Sequence, residues 1–375
     1  MEKINRFFAG VAEACHPSKG SFSGAMDVIV IQRSDGTLAS TPFYVKFGRF
    51  KLIKSNNIKV NLLVNGNPTP VQMLLSKSGR AQFIHEPVKA EEREEQKAEI
   101  SDPEIVLSDE EETPNPVDES IDSSQAANEI KSENAPERPR FYRQNSGLLT
   151  SSKYINSAEL ASLNLQPDFN RVQYVTETKK RVNLPGYIYF WKDTDEIVVS
   201  DIDGTLTKSD MMGHLCYLIG RDWSRAGVVN LYNDIISRNY KILYLSSRSI
   251  SQVDSTRNLL TFLDQSGQRL PQGPILLSPD GMFKSIVREI SNYSQVLKER
   301  TLTELIQTFP VDKQPFWAGF GNRNGDAVAY YRAGIPPNRI FILSNKKKKE
   351  DCNLILNFNE LNLNFDEHFP VINNL

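Results

Sequence analysis

Four polar clusters in the second half of the chain each sit on or just after a regular element, and together they could carry out phosphoryl transfer. The first is Asp201-Ile202-Asp203-Gly204-Thr205, directly after the apolar run Ile197-Val198-Val199. Two carboxylates two residues apart, just past a strand end, can both face one crevice once the chain turns at Gly204. One can hold a hard cation and attack phosphorus, and its neighbour, if protonated, can give a proton to the leaving oxygen. Asp-Gly-Thr is also ordinary turn chemistry. Its place after a buried strand is what favours the chemical reading.

The second cluster, Ser246-Ser247-Arg248, follows Ile242-Leu243-Tyr244-Leu245. A hydroxyl and a backbone N–H there can hydrogen-bond a phosphoryl oxygen, although Ser pairs also cap helices. With Gly204 and Thr205, Ser247 and Arg248 are expected to line the substrate. The third is Lys298, which gains meaning only from its place between the others. The fourth is Gly321-Asn322-Arg323-Asn324-Gly325-Asp326, after Phe316–Phe320. Asn322 offers a neutral oxygen to a cation, and Asp326 a carboxylate one helical turn on.

The elements that must position these clusters alternate strand and helix from Glu196 onward. Strands are expected at Ile197–Ser200, Lys241–Leu245, Pro274–Leu277, Phe316–Phe320 and Arg339–Leu343. Helices are expected at Trp223–Arg238, Ile250–Ser266, Tyr293–Phe309 and Gly325–Arg332. Repeated βα units imply a parallel, doubly wound α/β sheet, with ligands bound beyond the strands' carboxyl ends. The first part of the chain is different, with short β-rich runs between turn signals: Met26–Gln32, Phe43–Phe47, Ile58–Val64, Val71–Leu75 and Ala81–Ile84. They are too few to cover themselves. Phe169–Val175 and Tyr187–Trp191 could complete a small β-sandwich from a distant segment.

Between these parts, residues 87–140 hold 17 acidic and 6 basic side chains, 6 prolines and no aromatic residue. Such a stretch buries too little apolar area to offset its ordering entropy and reads as an acidic tether. It carries −11 of a chain total of −2, so the remaining residues carry +9 and suit anionic partners. The expected order is an amphipathic helix over 1–20, a β-segment over 21–86 completed by 169–192, an acidic linker over 87–150, a catalytic domain over 193–345 and a tail over 346–375.

Three scattered cysteines exclude a disulfide framework and a CxxC site, which suits a reducing compartment, and four scattered histidines with no HExxH argue against a zinc enzyme. No apolar run is long enough to span a membrane. Met1–Cys15 lacks the pattern of a signal peptide. At helical spacing it places Ile4, Phe7, Phe8 and Val11 on one face. That face can either enter a lipid interface or pack on the β-domain.

Taken in order, these clusters resemble the haloacid dehalogenase superfamily of aspartate-nucleophile phosphatases. The resemblance is closer to the lipin family of magnesium-dependent phosphatidate phosphatases, through DIDGTLTKSD (201–210), LSPDGMF (277–283) and FGNRNGDAVAY (320–330). At the other end SGAMDVIVIQRSDGTLASTPFYVKFG (23–48) is similar to the N-terminal lipin segment. The two-ended match covers roughly three-quarters of the chain and is far more specific than a lone DxDGT.

The resemblance implies a haloacid-dehalogenase-like catalytic domain beside an immunoglobulin-like sandwich. It implies that Asp201 becomes an aspartyl-phosphate, and that Asp203 protonates the diacylglycerol oxygen and then activates water. Magnesium (Mg2+) would be held by the Asp201 carboxylate, the Asp203 carbonyl, Asn322 and waters, with Asp326 supporting it directly or through one of those ligands. Ser246, or Ser247 one position on, and Lys298 would stabilise the phosphoryl group. It further implies phosphatidate in membranes as substrate, an anionic lipid surface met through the N-terminal helix, and no direct nucleic-acid contact. The expected location is cytoplasmic, peripheral to endoplasmic reticulum or nuclear membrane, with access to the nucleus.

A phosphatase of the same superfamily acting on a soluble phosphoester or phosphoprotein is the alternative. Lys346–Lys349 reads as a lipid contact, a nuclear-import patch or a solvated loop. Ser108, before four acidic residues, suits an acid-directed kinase. The stretch Met212–Cys216 does not reproduce the Leu-x-x-Ile-Leu motif of co-regulatory lipins.

Overall fold

A computed structural model of the chain describes residues 23–48, 58–85, 141–144, 147–178, 181–208, 224–279, 290–343, 353–355 and 358–372. The expected N-terminal helix with Ile4, Phe7, Phe8 and Val11, the acidic stretch 87–140 with Ser108, residues 209–223 and Lys346–Lys349 lie outside the described residues. The chain divides into two compact units, Met1–Phe83 with Lys153–Leu375, and Ile84–Ser152. In the second unit two strands, Phe141–Gln144 and Gly147–Ser152, pair antiparallel. The expected linker 87–150 therefore contains β-structure at its end, where Phe141, Tyr142 and the Leu148-Leu149 pair restore the apolar side chains that strands need.

In the first unit the β-rich strands form one curled sheet. They are β1 (Ser23–Ala25), β2 (Val28–Gln32), β3 (Leu38–Ser40), β4 (Val45–Phe47), β5 (Ile58–Val64), β6 (Asn67–Leu75) and β7 (Arg80–His85). Beyond the acidic stretch, with Phe141–Gln144 as β8 and Gly147–Ser152 as β9, come β10 (Asp168–Thr176) and β11 (Asn183–Lys192). The path runs β1-β4-β7-β6-β5-β10-β11-β2-β3. The late strands join the early ones directly, with Val172 opposite Val64 and Ile188 beside Val28. Only the β11–β2 pair on this path is parallel.

β5 alternates in burial, with Ile58, Val60, Leu62 and Val64 inward, as expected of a strand with one wet face. β2 does not alternate, because both its faces are covered. Val28 and Val30 enter the core of the curled sheet, whereas Ile29 and Ile31 join the core of the following α/β region. Ile188 and Tyr189 divide in the same way on β11. A short helix at Ser157–Ser162, not expected above, is started by an Asn156/Glu159 capping box.

The α/β region is built on six parallel strands: β12 (Ile197–Asp201), β13 (Lys241–Ser249), β16 (Ile275–Ser278), β17 (Phe316–Gly321), β18 (Ile340–Leu343) and β19 (Asn353–Ile355). The strand order β16-β13-β12-β17-β18-β19 reverses at β12, as in doubly wound sheets. The crevice for a ligand lies beyond the ends of β12 and β17. This half of the chain is mixed α/β.

Two expected helices are shorter in the structure. Trp223–Arg238 becomes Val228–Ser237, since Gly227 adopts φ 82° just before it. Ile250–Ser266 becomes a 3₁₀ turn at Ile250–Gln252 and a helix at Val253–Thr261. The small hairpin β14 (Asp264–Gln265) and β15 (Gln268–Arg269) follows, turning at Ser266-Gly267, both with positive φ. The helix expected at Tyr293–Phe309 spans Ile290–Ile306.

The stretch 346–375, expected as a tail, instead supplies β19 and buries Phe358, Leu361 and Phe369 in the α/β core. Phe369 meets Tyr240 edge-on at 5.7 Å, and the Tyr240 hydroxyl donates to the Pro370 carbonyl at 3.0 Å. These spaced aromatics carry enough apolar area to hold the segment. Among the described residues no helix is long and apolar enough to cross a membrane.

Candidate active site

β12 is buried along its whole length and ends at Asp201. The turn after it is fastened on three sides. Ile202 N donates to the Leu245 carbonyl at 3.0 Å, Gly204 N to Thr207 Oγ1 at 2.9 Å, and Arg225 Nε to the Gly204 carbonyl at 3.0 Å. Gly204 has φ 86°, which a side chain would strain. This turn sets Asp201 and Asp203 on the same strand end.

Around Asp201 the charges are buried and paired. Lys298, 4% exposed, comes from the middle of the Ile290–Ile306 helix. Its Nζ donates to Asp201 Oδ1 at 2.6 Å and also to Asp326 Oδ1. Thr205 Oγ1 donates to Asp201 Oδ2 at 2.9 Å. Asp326, in the first turn of the Asn324–Arg332 helix, takes the backbone N–H groups of Asn322 and Arg323 on its other oxygen, at 2.9 and 3.0 Å. Gly321 permits this, since a Cβ there would lie 2.4 Å from the Asp326 Cβ.

Desolvation pushes the Asp201 carboxyl up to about 7, against the pull of Lys298. Burial acts to lower Lys298, but Asp201 and Asp326 together outweigh it and hold the ammonium above its ordinary value. Two carboxylates sharing one desolvated ammonium make a compact anionic pocket.

A second group surrounds Asp203. Ser246 Oγ donates to its Oδ2 at 2.8 Å, and Arg248 grips both oxygens, Nε to Oδ2 at 3.1 Å and Nη2 to Oδ1 at 2.6 Å. The third guanidinium nitrogen, Nη1, donates to Thr256 Oγ1 at 3.2 Å. β13 runs on past its expected end to Ser249, with an irregular register between Leu245 and Ser249, and this brings Ser246 and Arg248 alongside Asp203.

The structure thus brings together Asp201, Thr205, Lys298 and Asp326 in one group, and Asp203, Ser246 and Arg248 in a second group reached by the same turn. Lys298 and Ser246, expected to face a phosphoryl group, donate here to carboxylates. Arg248, expected on the substrate, is 3% exposed and turned inward. Ser247 is half-buried beside them. Thr256 was not foreseen, because a threonine inside a helix carries no signal of its own.

Asn322 is half-buried just past β17, and its side-chain amide takes no hydrogen bond among the described residues. The Asp201 and Asp326 side chains and the Asn322 amide offer oxygen donors alone, a chemistry that suits a hard divalent cation rather than zinc or copper.

Two family signatures match this chain. LNS2 (Lipin/Ned1/Smp2) matches residues 151–370, and the lipin N-terminal conserved region matches residues 1–103. The chain is 45% identical over 194 residues to nuclear elongation and deformation protein 1 of Schizosaccharomyces pombe, covering 51% of this chain and 29% of that protein. It is 40% identical over 191 residues to phosphatidate phosphatase PAH1 of Arabidopsis thaliana, covering 50% of this chain and 21% of that one. Phosphatidate phosphatase LPIN3 of Homo sapiens is 40% identical over 193 residues, 51% of this chain and 23% of its own. The chain therefore spans between 21% and 29% of the length of these curated relatives. With one signature over the curled sheet's first strands and the other over the whole α/β region, the chain belongs to the lipin family.

Proposed function

We propose that the chain is a magnesium-dependent phosphatidate phosphatase, releasing diacylglycerol and phosphate. The observation that carries this reading is the pair Asp201 and Asp203 on one strand end, the first held by Lys298 and the second by Arg248. Two of the three curated relatives described above carry the name phosphatidate phosphatase, which supports the choice of substrate.

In this mechanism an Asp201 oxygen attacks phosphorus and forms an acyl phosphate as the bond to the diacylglycerol oxygen breaks. Asp203 gives its proton to that oxygen. As a carboxylate, Asp203 then takes a proton from water, whose oxygen attacks the phosphorus, and Asp201 leaves as a carboxylate. Lys298 and Ser246 balance the phosphoryl charge. Asp201, Asn322, Asp326 and the Asp203 carbonyl would hold Mg2+, which when bound supplies charge neutralisation at the phosphoryl oxygens. Phosphate release from phosphatidate in mixed micelles should be lost on chelation and restored by magnesium, with slower but measurable release from a panel of soluble phosphoesters. Preference for a soluble ester would favour the alternative substrate class.

The same reading takes the curled sheet, 21–86 with 169–192, as an immunoglobulin-like sandwich and 193–345 as a haloacid-dehalogenase-like domain. It places the enzyme at the cytoplasmic face of endoplasmic reticulum or nuclear membrane, with Ile4, Phe7, Phe8 and Val11 entering an anionic lipid surface. Deleting residues 2–14 should abolish activity on liposomes yet spare a water-soluble phosphomonoester. Equal loss on both substrates would contradict the membrane role.

A further inference from the structure

Asp27 stands between β1 and β2 in the curled sheet, is 0% exposed, and belongs to no part of the proposed catalytic apparatus. Its carboxylate faces the α/β region. Arg257 holds both its oxygens, Nη2 to Oδ1 at 2.8 Å and Nη1 to Oδ2 at 3.0 Å, and Ile275 N donates to Oδ2 at 2.9 Å. The Arg257 guanidinium also lies 4.2 Å from the Tyr187 ring centre on β11. Arg257 is therefore wedged between the N-terminal strand segment and a strand from the far side of the acidic stretch. Three residues before Asp27, Gly24 lies so close to the α/β region that a Cβ would be 2.2 Å from the Ile250 carbonyl oxygen, in the turn that opens the Val253–Thr261 helix. The curled sheet thus fixes this helix both at its entry and at its middle.

The residue preceding Arg257 is Thr256, fully buried, with its hydroxyl accepting from Arg248 Nη1 at 3.2 Å. Arg248 spends its other two nitrogens on Asp203. A guanidinium is planar, so fixing one edge on Thr256 fixes the plane in which the other edge presents itself to the carboxylate. Valine would fill the place of Thr256 equally well, so packing alone gives no reason for a hydroxyl there.

We propose that Thr256 is a positioning residue for the proton-transfer step: seated by the Asp27–Arg257 pair, it orients Arg248, Arg248 anchors the Asp203 carboxyl through Oδ1, and Oδ2, freed when the Ser246 hydroxyl turns to the phosphoryl group, carries the proton to the leaving oxygen. The curled sheet thereby sets the geometry of the acid without touching substrate. This rests on the phosphatase reading and adds to it a specific dependence on the leaving group. A diacylglycerol oxygen leaves as a poor, strongly basic alkoxide unless protonated, whereas a p-nitrophenolate leaves without a proton. Misaligning the acid therefore slows the first ester and spares the second.

The test compares kcat/KM, which reports the steps up to leaving-group departure, for short-chain phosphatidate and p-nitrophenyl phosphate. Thr256→Val should lower the phosphatidate value by about tenfold, as for loss of one hydrogen bond to a charged group, and the p-nitrophenyl value by less than about twofold. Thr256→Ser, which restores the hydroxyl, should return phosphatidate turnover to within about twofold of the parent. Asp27→Asn should show the same selectivity. If that variant does not fold, the Thr256 pair decides alone. Equal losses on the two esters, or no loss on either, would overturn the proposal while leaving the phosphatase reading intact. A parent enzyme that releases phosphate from neither ester would overturn both.

Discussion

Replacing Asp201 by asparagine leaves a folded protein that releases phosphate from phosphatidate at least about 10⁴-fold more slowly, the size of loss seen when a nucleophile is removed. The change is nearly isosteric, and the amide can keep an oxygen turned to the Thr205 hydroxyl, which donates to Asp201 Oδ2 at 2.9 Å. Lys298 retains Asp326 as its partner. Burial already works against the ionised form of Asp201, so removing that charge costs the native state little. Thermal unfolding should shift by no more than a few degrees, corresponding to under about 1 kcal/mol. Phosphate release and a melting curve on one preparation check both halves. Turnover above about a hundredth of the parent rate would remove Asp201 from the role of nucleophile.

Lys298→Met should be damaging in a different way. The ammonium is shared by Asp201 and Asp326, all three being almost wholly buried. Without it, two desolvated carboxylates face each other unpaired. Breaking a buried pair from one side costs about 3–5 kcal/mol, because the remaining charge is left uncompensated. Activity should fall by about 10²- to 10³-fold as a charge aimed at the phosphoryl group is lost. The double variant Lys298→Met, Asp326→Asn separates the two effects. It should recover much of the stability measured by urea unfolding, because one of the stranded charges is gone, and recover none of the activity. Recovery of both would make Lys298 a structural residue only.

The site was legible in the sequence wherever its parts are contiguous. Ile197–Val199 followed by Asp-x-Asp-Gly-Thr reads as a strand end with two carboxylates, and β12 ends at Asp201. Phe316–Phe320 followed by Gly-Asn likewise reads as a second strand end, and β17 ends at Gly321. Even the excess of apolar residues in Met26–Gln32 has a plain cause, since Ile29 and Ile31 serve a different core from Val28 and Val30.

What could not be read depends on partners far apart in the chain or on backbone conformation. Arg257 and Asp27 are 230 residues apart, and neither shows in its own neighbourhood that it will be buried against the other. Thr256 acquires its role only once β13 runs on past Leu245 and delivers Arg248. The helix beginning at Val228 looked longer because apolar spacing continues upstream, but the positive φ of Gly227 halts it. The final segment reads as a tail after Lys346–Lys349, yet Phe358, Leu361 and Phe369 are spaced to reach one core. Periodicity reports one covered face of one element. It is silent on which distant element does the covering.

The identity of the attacking oxygen can be tested most directly by trapping the covalent intermediate. The enzyme is mixed with phosphatidate labelled in its phosphate, quenched in acid within one turnover and divided: one half is mapped for label, and the other is reduced with borohydride, which expels the phosphate and leaves homoserine in place of the aspartate, and mapped by mass spectrometry. The expected result is acid-stable label on the peptide containing Asp201, reduction of that aspartate alone, and neither signal in Asp201→Asn. Label or reduction at Asp203, Asp326 or any other side chain would contradict it.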